Sequence, residues 1–387
     1  MRDYFQKNDP IRFLFPIDGD CLDPRDGIVE GTSLLVTVTV EAPEGHTVSV
    51  NGIPCSELSA GVYSGTVPVS GYRSTLTATD LESGTEARIT VLRLAGRDRS
   101  FRISSDDNIR FLSELSSGDY ASIFDHPYLA VYKKAHDLYG ASVHLNLFYA
   151  FDDKARSCFS DAHDYFDLSM MTDRYKAEFE RNSDWLKLSF HSHSEFPDAP
   201  YKNTEPEVVT RDAVRVLREI ARFAGKGSIS DATTVHFGAA TADSVRALRA
   251  LGLRALAGYF EMHHGRPCVS YYAPEELVLH VGARDFWHDK DTDMIFLRID
   301  RVLNIGSLDE ILAELPTIVD DPHRGGFVSL MIHEQYFYSD YRRYLPDFEE
   351  RVLAPCRYLA ERGYVGVTAT DFVKEPALRD HPMLTKG

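Results

Sequence analysis

Phe101-Arg102-Ile103-Ser104-Ser105-Asp106-Asp107 is a short strand-like segment that runs directly into two carboxylates. Three later segments end in the same manner, with histidine at or near the tip: 186–191, continuing to His193; 233–236; and 327–333, followed by Glu334. Strand-like runs also fall at 142–148, 255–260, 294–302 and 364–370. Helical periodicity fills the gaps, and strands alternating with helices are the mark of a parallel sheet with crossovers. About eight such strands are enough for an irregular (β/α) barrel of seven or eight strands, whose tips converge on one shared pocket. Acidic and imidazole groups gathered at those tips are what a hydrolytic metal site requires.

The helices carry their own punctuation. Thr204-Glu205-Pro206-Glu207 reads as a capping box with proline in the first turn, ahead of Val209, Ala213, Val216, Leu217, Ile220 and Phe223 at helical spacing. Ser307-Leu308-Asp309-Glu310 opens another helix in the same way. Upstream the pattern differs. Residues 28–95 show close alternation, as in Val36-Thr37-Val38-Thr39-Val40, with turns at Asn51-Gly52 and Ser83-Gly84. That composition predicts a small all-β sandwich of immunoglobulin type. The expected organisation is therefore an N-terminal segment at 1–27, a β-sandwich at 28–95 and an α/β barrel at 96–387.

Composition limits the partners. With 59 acidic against 42 basic residues the net charge is −17, a field that repels nucleic acid and anionic membrane. No apolar run is long enough to span a bilayer and the first residues lack the form of a signal peptide, so the expected location is cytoplasmic. The cysteines Cys21, Cys55, Cys158, Cys268 and Cys356 are scattered and form no CxxC pair, which argues against a disulfide framework and a thiolate zinc site. Asp18, Asp20, Asp23 and Asp26 are dense but miss the spacing of an EF-hand.

Adjacent side chains on a strand point to opposite faces, so Asp106 and Asp107 are expected to divide their roles, one ligating a metal and the other acting as a base. His191 and His193, two apart, fall on one face of an extended strand and are plausible joint ligands. Tyr336 and the aromatics after it could stack on sugar rings, while Glu334 could position His333 or substrate.

Taken in order, Ser104-Ser105-Asp106-Asp107, Phe190-His191-Ser192-His193-Ser194, Thr234-Val235-His236-Phe237-Gly238 and Ser329-Leu330-Met331-Ile332-His333 resemble the polysaccharide deacetylase family, carbohydrate esterase family four, over roughly residues 101–373. The resemblance implies a barrel of the glycoside hydrolase and deacetylase type that removes acetyl groups from an N-acetylated sugar or polysaccharide with one divalent ion, most readily Zn²⁺. It makes Asp106 the general base, Asp107 and His191 metal ligands and His333 the general acid, and places Phe237 beside the oxyanion. The pattern departs where the family has its second metal histidine, here Glu195, so the third ligand is left among His193, Glu195 and His236. The arginine that orients the base in that family has no counterpart at the matching position. Two other readings use the same residues: a metal-independent glycoside hydrolase with carboxylates such as Asp106 and Glu334, and a glycan-binding protein with little catalysis.

Overall fold

The computed structural model describes residues 3–94 and 98–374. The change of pattern expected near residue 96 lies outside the described residues.

In the first part of the chain, Ser33–Glu41 buries Leu34, Val36, Val38 and Val40 and turns the alternate side chains outward; Glu86–Arg93 does the same with Ala87, Ile89 and Val91. Period-two alternation of this kind gives a sheet one apolar face. Two five-stranded sheets result, one centred on Ser33–Glu41 and Val62–Val69, the other on Glu86–Arg93 and Arg73–Asp80, and their buried side chains form one apolar core. The stretch before residue 28 is woven into both. Arg12–Phe15 pairs antiparallel with Ser33–Glu41, and Cys21–Leu22 pairs parallel with Glu86–Arg93.

Among the described residues, the βα alternation that follows forms two larger sheets, beside two short antiparallel pairs, Ala150–Phe151 with Phe166–Asp167 and Glu261–His263 with Arg266–Cys268. In the six-stranded one the order is Leu186–Ser192, Val143–Phe148, Ser100–Asn108, Phe327–His333 and Arg301–Val302, with Val365–Gly366 also pairing to Ser100–Asn108, and every pairing is parallel. The four-stranded one runs Ala232–Thr233, Ala255–Gly258, Met294–Arg298 and Phe286–Asp289, the last antiparallel. The expected ladder of a single closed barrel is not formed among the described residues. At one seam the Ala232–Thr233 strand is two residues long, because the chain turns into a 3₁₀ segment at His236–Gly238. Single contacts span the seams: the Ser230 N–H donates to Leu188 O (2.8 Å) and the Asp300 N–H to Ser329 O (2.8 Å).

Helices cover the outer faces. Pro206–Phe223 buries the row Val209, Ala213, Val216, Leu217, Ile220 and Phe223, as its periodicity predicts. Its N-cap is Glu205 without a side-chain cap bond, so the capping box read at Thr204 does not form; the one at Ser307 and Glu310 does. No described helix is long and apolar enough to cross a membrane.

On Ser100–Asn108, Phe101 and Ile103 pack into the core shared with the helices. Arg102, Ser104 and Asp106 occupy the opposite face, where Arg102 Nε donates to Ser329 Oγ (3.0 Å) and Ser104 Oγ to Leu330 O (3.3 Å). Neighbouring strands add His144, Asn146 and Ser189, all fully buried. A polar lining of this kind lies inside the strands and leads up to the site.

The aspartates that resembled a calcium loop fasten residues 17–26 to the βα part. Asp20 is fully buried, accepts from the Ile17 N–H (2.9 Å) and pairs with His280 (2.6 Å) and Arg284 (3.5 Å). Burial alone would raise its pKa, but Arg284 and His280 hold the carboxyl below its usual value. Beside it Gly19 has φ +95°, and a Cβ there would meet His288 O at 2.1 Å. Asp20→Asn should lower the unfolding free energy by about 3 kcal/mol at neutral pH. A carboxylate depressed on folding stabilises only where it is ionised, so the deficit relative to wild type should shrink as the pH falls through and below the ordinary aspartate range. Urea unfolding of both proteins across pH measures this; a deficit that stays constant would remove Asp20 as a charged anchor.

Candidate metal centre

Asp106 and Asp107 do not simply alternate. Between Ser105 and Asn108 the pairing with Val143–Phe148 slips by one residue, and Asp107 has φ +63°, so the pair sits on a bulge. A bulge re-aims side chains at a strand end. It lets Asp107 reach His191 while Asp106, also close enough to influence His191 electrostatically, stays on the interior face. Asp106 is buried and accepts from Asn146 Nδ2 (2.6 Å), whose own Oδ1 accepts from Thr233 Oγ1 (3.0 Å).

Asp107, His191 and His236 form one group. Asp107 Oδ1 lies 3.0 Å from His191 Nε2 and 3.3 Å from His236 Nδ1, and the two ring nitrogens are 3.0 Å apart. The outer nitrogens are committed elsewhere: His191 Nδ1 to the Thr234 carbonyl, and His236 Nε2 to the Glu195 carbonyl (3.0 Å). A carbonyl only accepts, so each ring carries its hydrogen on the outer nitrogen and turns a lone pair inward. Two lone pairs and a carboxylate then face one point, which calls for a positive charge between them. Donors about 2.0–2.2 Å from a shared tetrahedral ion lie a little over 3 Å from one another, so the residues fit a small divalent cation.

The electrostatics agree. Burial would raise the pKa of Asp107, yet its close contacts with His191 and His236 hold it well below the usual carboxylate range. Burial would lower His191, but Asp106 and Asp107 raise it. Glu195 is pushed up to about 8, by burial first and by the Asp107 charge next.

The remaining predicted residues divide. His193 is outside the group: the strand ends at Ser192, the His193 N–H bonds Tyr201 OH (3.1 Å), and its ring stacks on Tyr149 with centroids 5.5 Å apart. The rule of two-residue spacing fails because the chain is no longer extended there. His236 takes that place, delivered by the turn in which Phe237 (φ +61°) and Gly238 (φ +52°) are left-handed; a Cβ on Gly238 would meet Val269 Cγ1 at 2.4 Å. Phe237 is half exposed, with its ring edge-to-face on His236 at 4.6 Å. His333 Nε2 stands 4.0 Å from Asp107 Oδ2, with Nδ1 bonded to Asn304 Oδ1 (2.8 Å). Tyr336 packs near His333, centroids 6.1 Å apart.

Glu334 borders the same cavity as Asp107, but its carboxylate oxygens are committed to a helix start. It is buried and accepts from the backbone N–H groups of Ile109 (2.6 Å), Arg110 (3.1 Å) and Phe111 (2.6 Å) and from Tyr338 OH (2.9 Å). These are orphan donors at the start of the Arg110–Ser117 helix, and a carboxylate there satisfies them and the helix dipole.

Sequence reasoning missed Asn146, Thr233, Asn304 and Gln335, which hold the side chains above, and Arg102. The guanidinium of Arg102 is fully buried, its Nη atoms have no hydrogen-bond partner among the described residues, and burial lowers its pKa to about 10 while Asp106 opposes that shift. Polar residues at alternate positions of otherwise apolar strands were the available signal.

No family model matches the sequence, and no curated protein matches it. Among solved structures, the chain is similar to one from Bacteroides fragilis carrying the provisional name alpha-galactosidase: 11% identity over 93% of this chain and 80% of that one, TM-score 0.26. It is also similar to a calcium binding mutant of Bacteroides uniformis beta-glucuronidase 2: 12% identity over 78% of this chain and 45% of that one, TM-score 0.23. Likenesses this slight carry no argument about fold or activity.

His236→Ala should abolish stoichiometric zinc binding and His193→Ala should leave it intact, as read by elemental analysis of dialysed protein; the reverse pattern would reassign the third ligand. Glu334→Ala should cost about 2–4 kcal/mol of stability in denaturant unfolding, because several buried donors lose their acceptor. Unchanged stability would free Glu334 for a role in binding.

Proposed function

We propose that the chain is a metal-dependent hydrolase that removes acetyl groups from an N-acetylated sugar or polysaccharide, as a divergent relative of the polysaccharide deacetylases. The observation that carries the metal is the pair of inward imidazole lone pairs on His191 and His236, 3.0 Å apart beside Asp107. The acetyl substrate rests on the resemblance in the order of Asp106-Asp107, His191, His236 and His333. A divalent ion, for which Zn²⁺ suits two imidazoles and a carboxylate, supplies polarisation of a carbonyl and acidification of water when bound.

The chain's own groups supply the proton transfers. Asp106, fixed by Asn146, takes a proton from the attacking water. His333, whose Nδ1 is held by Asn304, has Nε2 available to protonate the departing amine. Phe237 on the rim offers a ring face to a sugar. The acidic surface implied by the net charge suits a neutral or cationic glycan.

A second reading has one specific observation in its favour. Glu195, with its pKa pushed up to about 8, lines the same cavity as Asp107 and the aromatic side chains Phe148, Phe151 and Tyr341. A protonated and an ionised carboxyl beside an aromatic cleft is the arrangement of a glycoside hydrolase. With Glu334 committed to its helix, that reading rests on Glu195. It requires no metal, so sugar release undiminished by a chelator supports it.

Asp106→Asn should keep its zinc and lose about 10²–10⁴-fold in acetate release from an N-acetylated chitooligosaccharide. Unchanged turnover by the zinc-loaded variant would rule Asp106 out as the base.

A further inference from the structure

Tyr259 follows the Ala255–Gly258 strand, which pairs parallel with Ala232–Thr233, the strand that leads into His236. Parallel neighbours bring their tips to the same end of a sheet, so Tyr259 and His236 emerge together. Ala255, Ala257 and Tyr259 belong to an apolar cluster that includes Met331, while Leu256 between them packs into the core shared with the helices. Met331 pairs with Ser104, two residues below the opposed pair Asp106 and His333. Tyr259 therefore stands on the interior face, at the strand tips that carry the site.

Its backbone is pinned on both sides. The Tyr259 N–H donates to Val269 O (2.9 Å), and the Gly258 carbonyl accepts from the Ile299 N–H (2.7 Å). The hydroxyl, by contrast, has no hydrogen-bond partner among the described residues and is not an enclosed atom; Tyr259 is itself partly exposed. Burial first, and then the negative charges of Asp106 and Asp107, raise its pKa well above the ordinary phenol value, so both carboxylates act on the hydroxyl. Neither takes its hydrogen. Asp106 accepts from Asn146 (2.6 Å), and Asp107 lies against His191 (3.0 Å) and Gln335 (2.8 Å). A reachable O–H donor is left unspent beside the site.

We infer that Tyr259 donates a hydrogen bond to the oxyanion that forms when water attacks the acyl carbonyl, a catalytic role beside those of Asp106 and His333. The inference rests on the deacetylase reading and deepens it. A carbonyl held at the group of Asp107, His191 and His236 lies beside the same carboxylate whose charge reaches the Tyr259 hydroxyl. On attack the water oxygen bonds to the carbonyl carbon, its proton passes to Asp106, and the π pair of the C=O bond moves onto the carbonyl oxygen. That oxygen gains its negative charge only as the attack proceeds, so a neutral O–H beside it favours the transition state over the substrate. Tyr259 keeps its own proton throughout. When the C–N bond breaks, the carbonyl re-forms and the leaving nitrogen takes its proton from His333. A donor on a pinned strand tip is placed in advance and costs no reorganisation.

The test compares the zinc-loaded full chain with its Tyr259→Phe variant on two acetyl donors, tri-N-acetylchitotriose and 4-nitrophenyl acetate. The substitution removes one oxygen and keeps the ring that packs on the apolar cluster. The variant should keep its zinc and its KM for the sugar and lose about 10²-fold in kcat, with a comparable loss in kcat/KM on the ester, because both reactions pass through an oxyanion. A tyrosine that only bonded a sugar hydroxyl would raise KM for the sugar and leave the ester untouched. Tyr259→Leu gives the same comparison if the phenylalanine variant does not fold. Turnover of both donors within about two-fold of wild type, or a loss confined to the sugar, overturns the inference and leaves the deacetylase reading standing. A zinc-loaded wild type that releases no acetate from the sugar refutes the substrate reading, and the inference falls with it.

Discussion

The constraint on which the site depends is electrostatic repulsion between two imidazole lone pairs. His191 and His236 each give their outer N–H to a backbone carbonyl, at Thr234 and Glu195, and neither carbonyl can reverse the bond. The inner nitrogens are left 3.0 Å apart with Asp107 beside both. A proton on one ring would relieve the contact either by giving up a tautomer that the backbone enforces or by making a full imidazolium in a buried place, a form that Asp106 and Asp107 favour at His191. A shared divalent ion relieves it with every outer bond kept, and carbonyl bonds to the outer nitrogens are how ligating histidines are commonly oriented.

The surrounding fold serves that arrangement. Parallel pairing of Ser100–Asn108 with both Val143–Phe148 and Phe327–His333 sets Asp106 opposite His333, and the slip after Ser105 turns Asp107 toward His191. Beneath these tips the interior is polar, with Asn146 and Thr233 fixing Asp106 and the charge of Arg102 acting on it from within the same strand. Such a network costs desolvation that an apolar core would avoid. Its use is placement: Asp106 has a defined position because Asn146 is itself held. Asp20, Arg284 and His280 tie residues 17–26 against the βα part, so the two β-sheets upstream and the site-bearing strands share a common border.

Much of this was legible in the sequence because strand tips announce themselves. Apolar runs ending in Asp107, His191 and His333 became parallel strands of one sheet, and alternation in 33–41 and 86–93 became buried and exposed faces. What could not be read depends on partners distant in the chain. The bulge at Asp107 is a property of its pairing with Val143–Phe148, and no residue within 101–107 signals it. The choice of His236 over His193 follows from where one strand stops and where a left-handed turn at Phe237 begins. Glu334 looked like a site carboxylate because it follows His333, but the helix start at Ile109 reaches it first. The irregular barrel expected from the number of strands is divided between a six-stranded and a four-stranded sheet with no closed ladder among the described residues, since the strand expected at 233–236 gives way to a 3₁₀ turn after Thr233.

The account's central claim is that a cation belongs at the meeting point of Asp107, His191 and His236. The most direct measurement is anomalous X-ray scattering at the zinc absorption edge from crystals grown with zinc. The account predicts one strong peak within bonding distance of Asp107 Oδ1, His191 Nε2 and His236 Nδ1. Well-ordered electron density for all three side chains with no anomalous peak between them, or a peak only at the other carboxylate and histidine group, His46, Asp80 and Glu82, would contradict it.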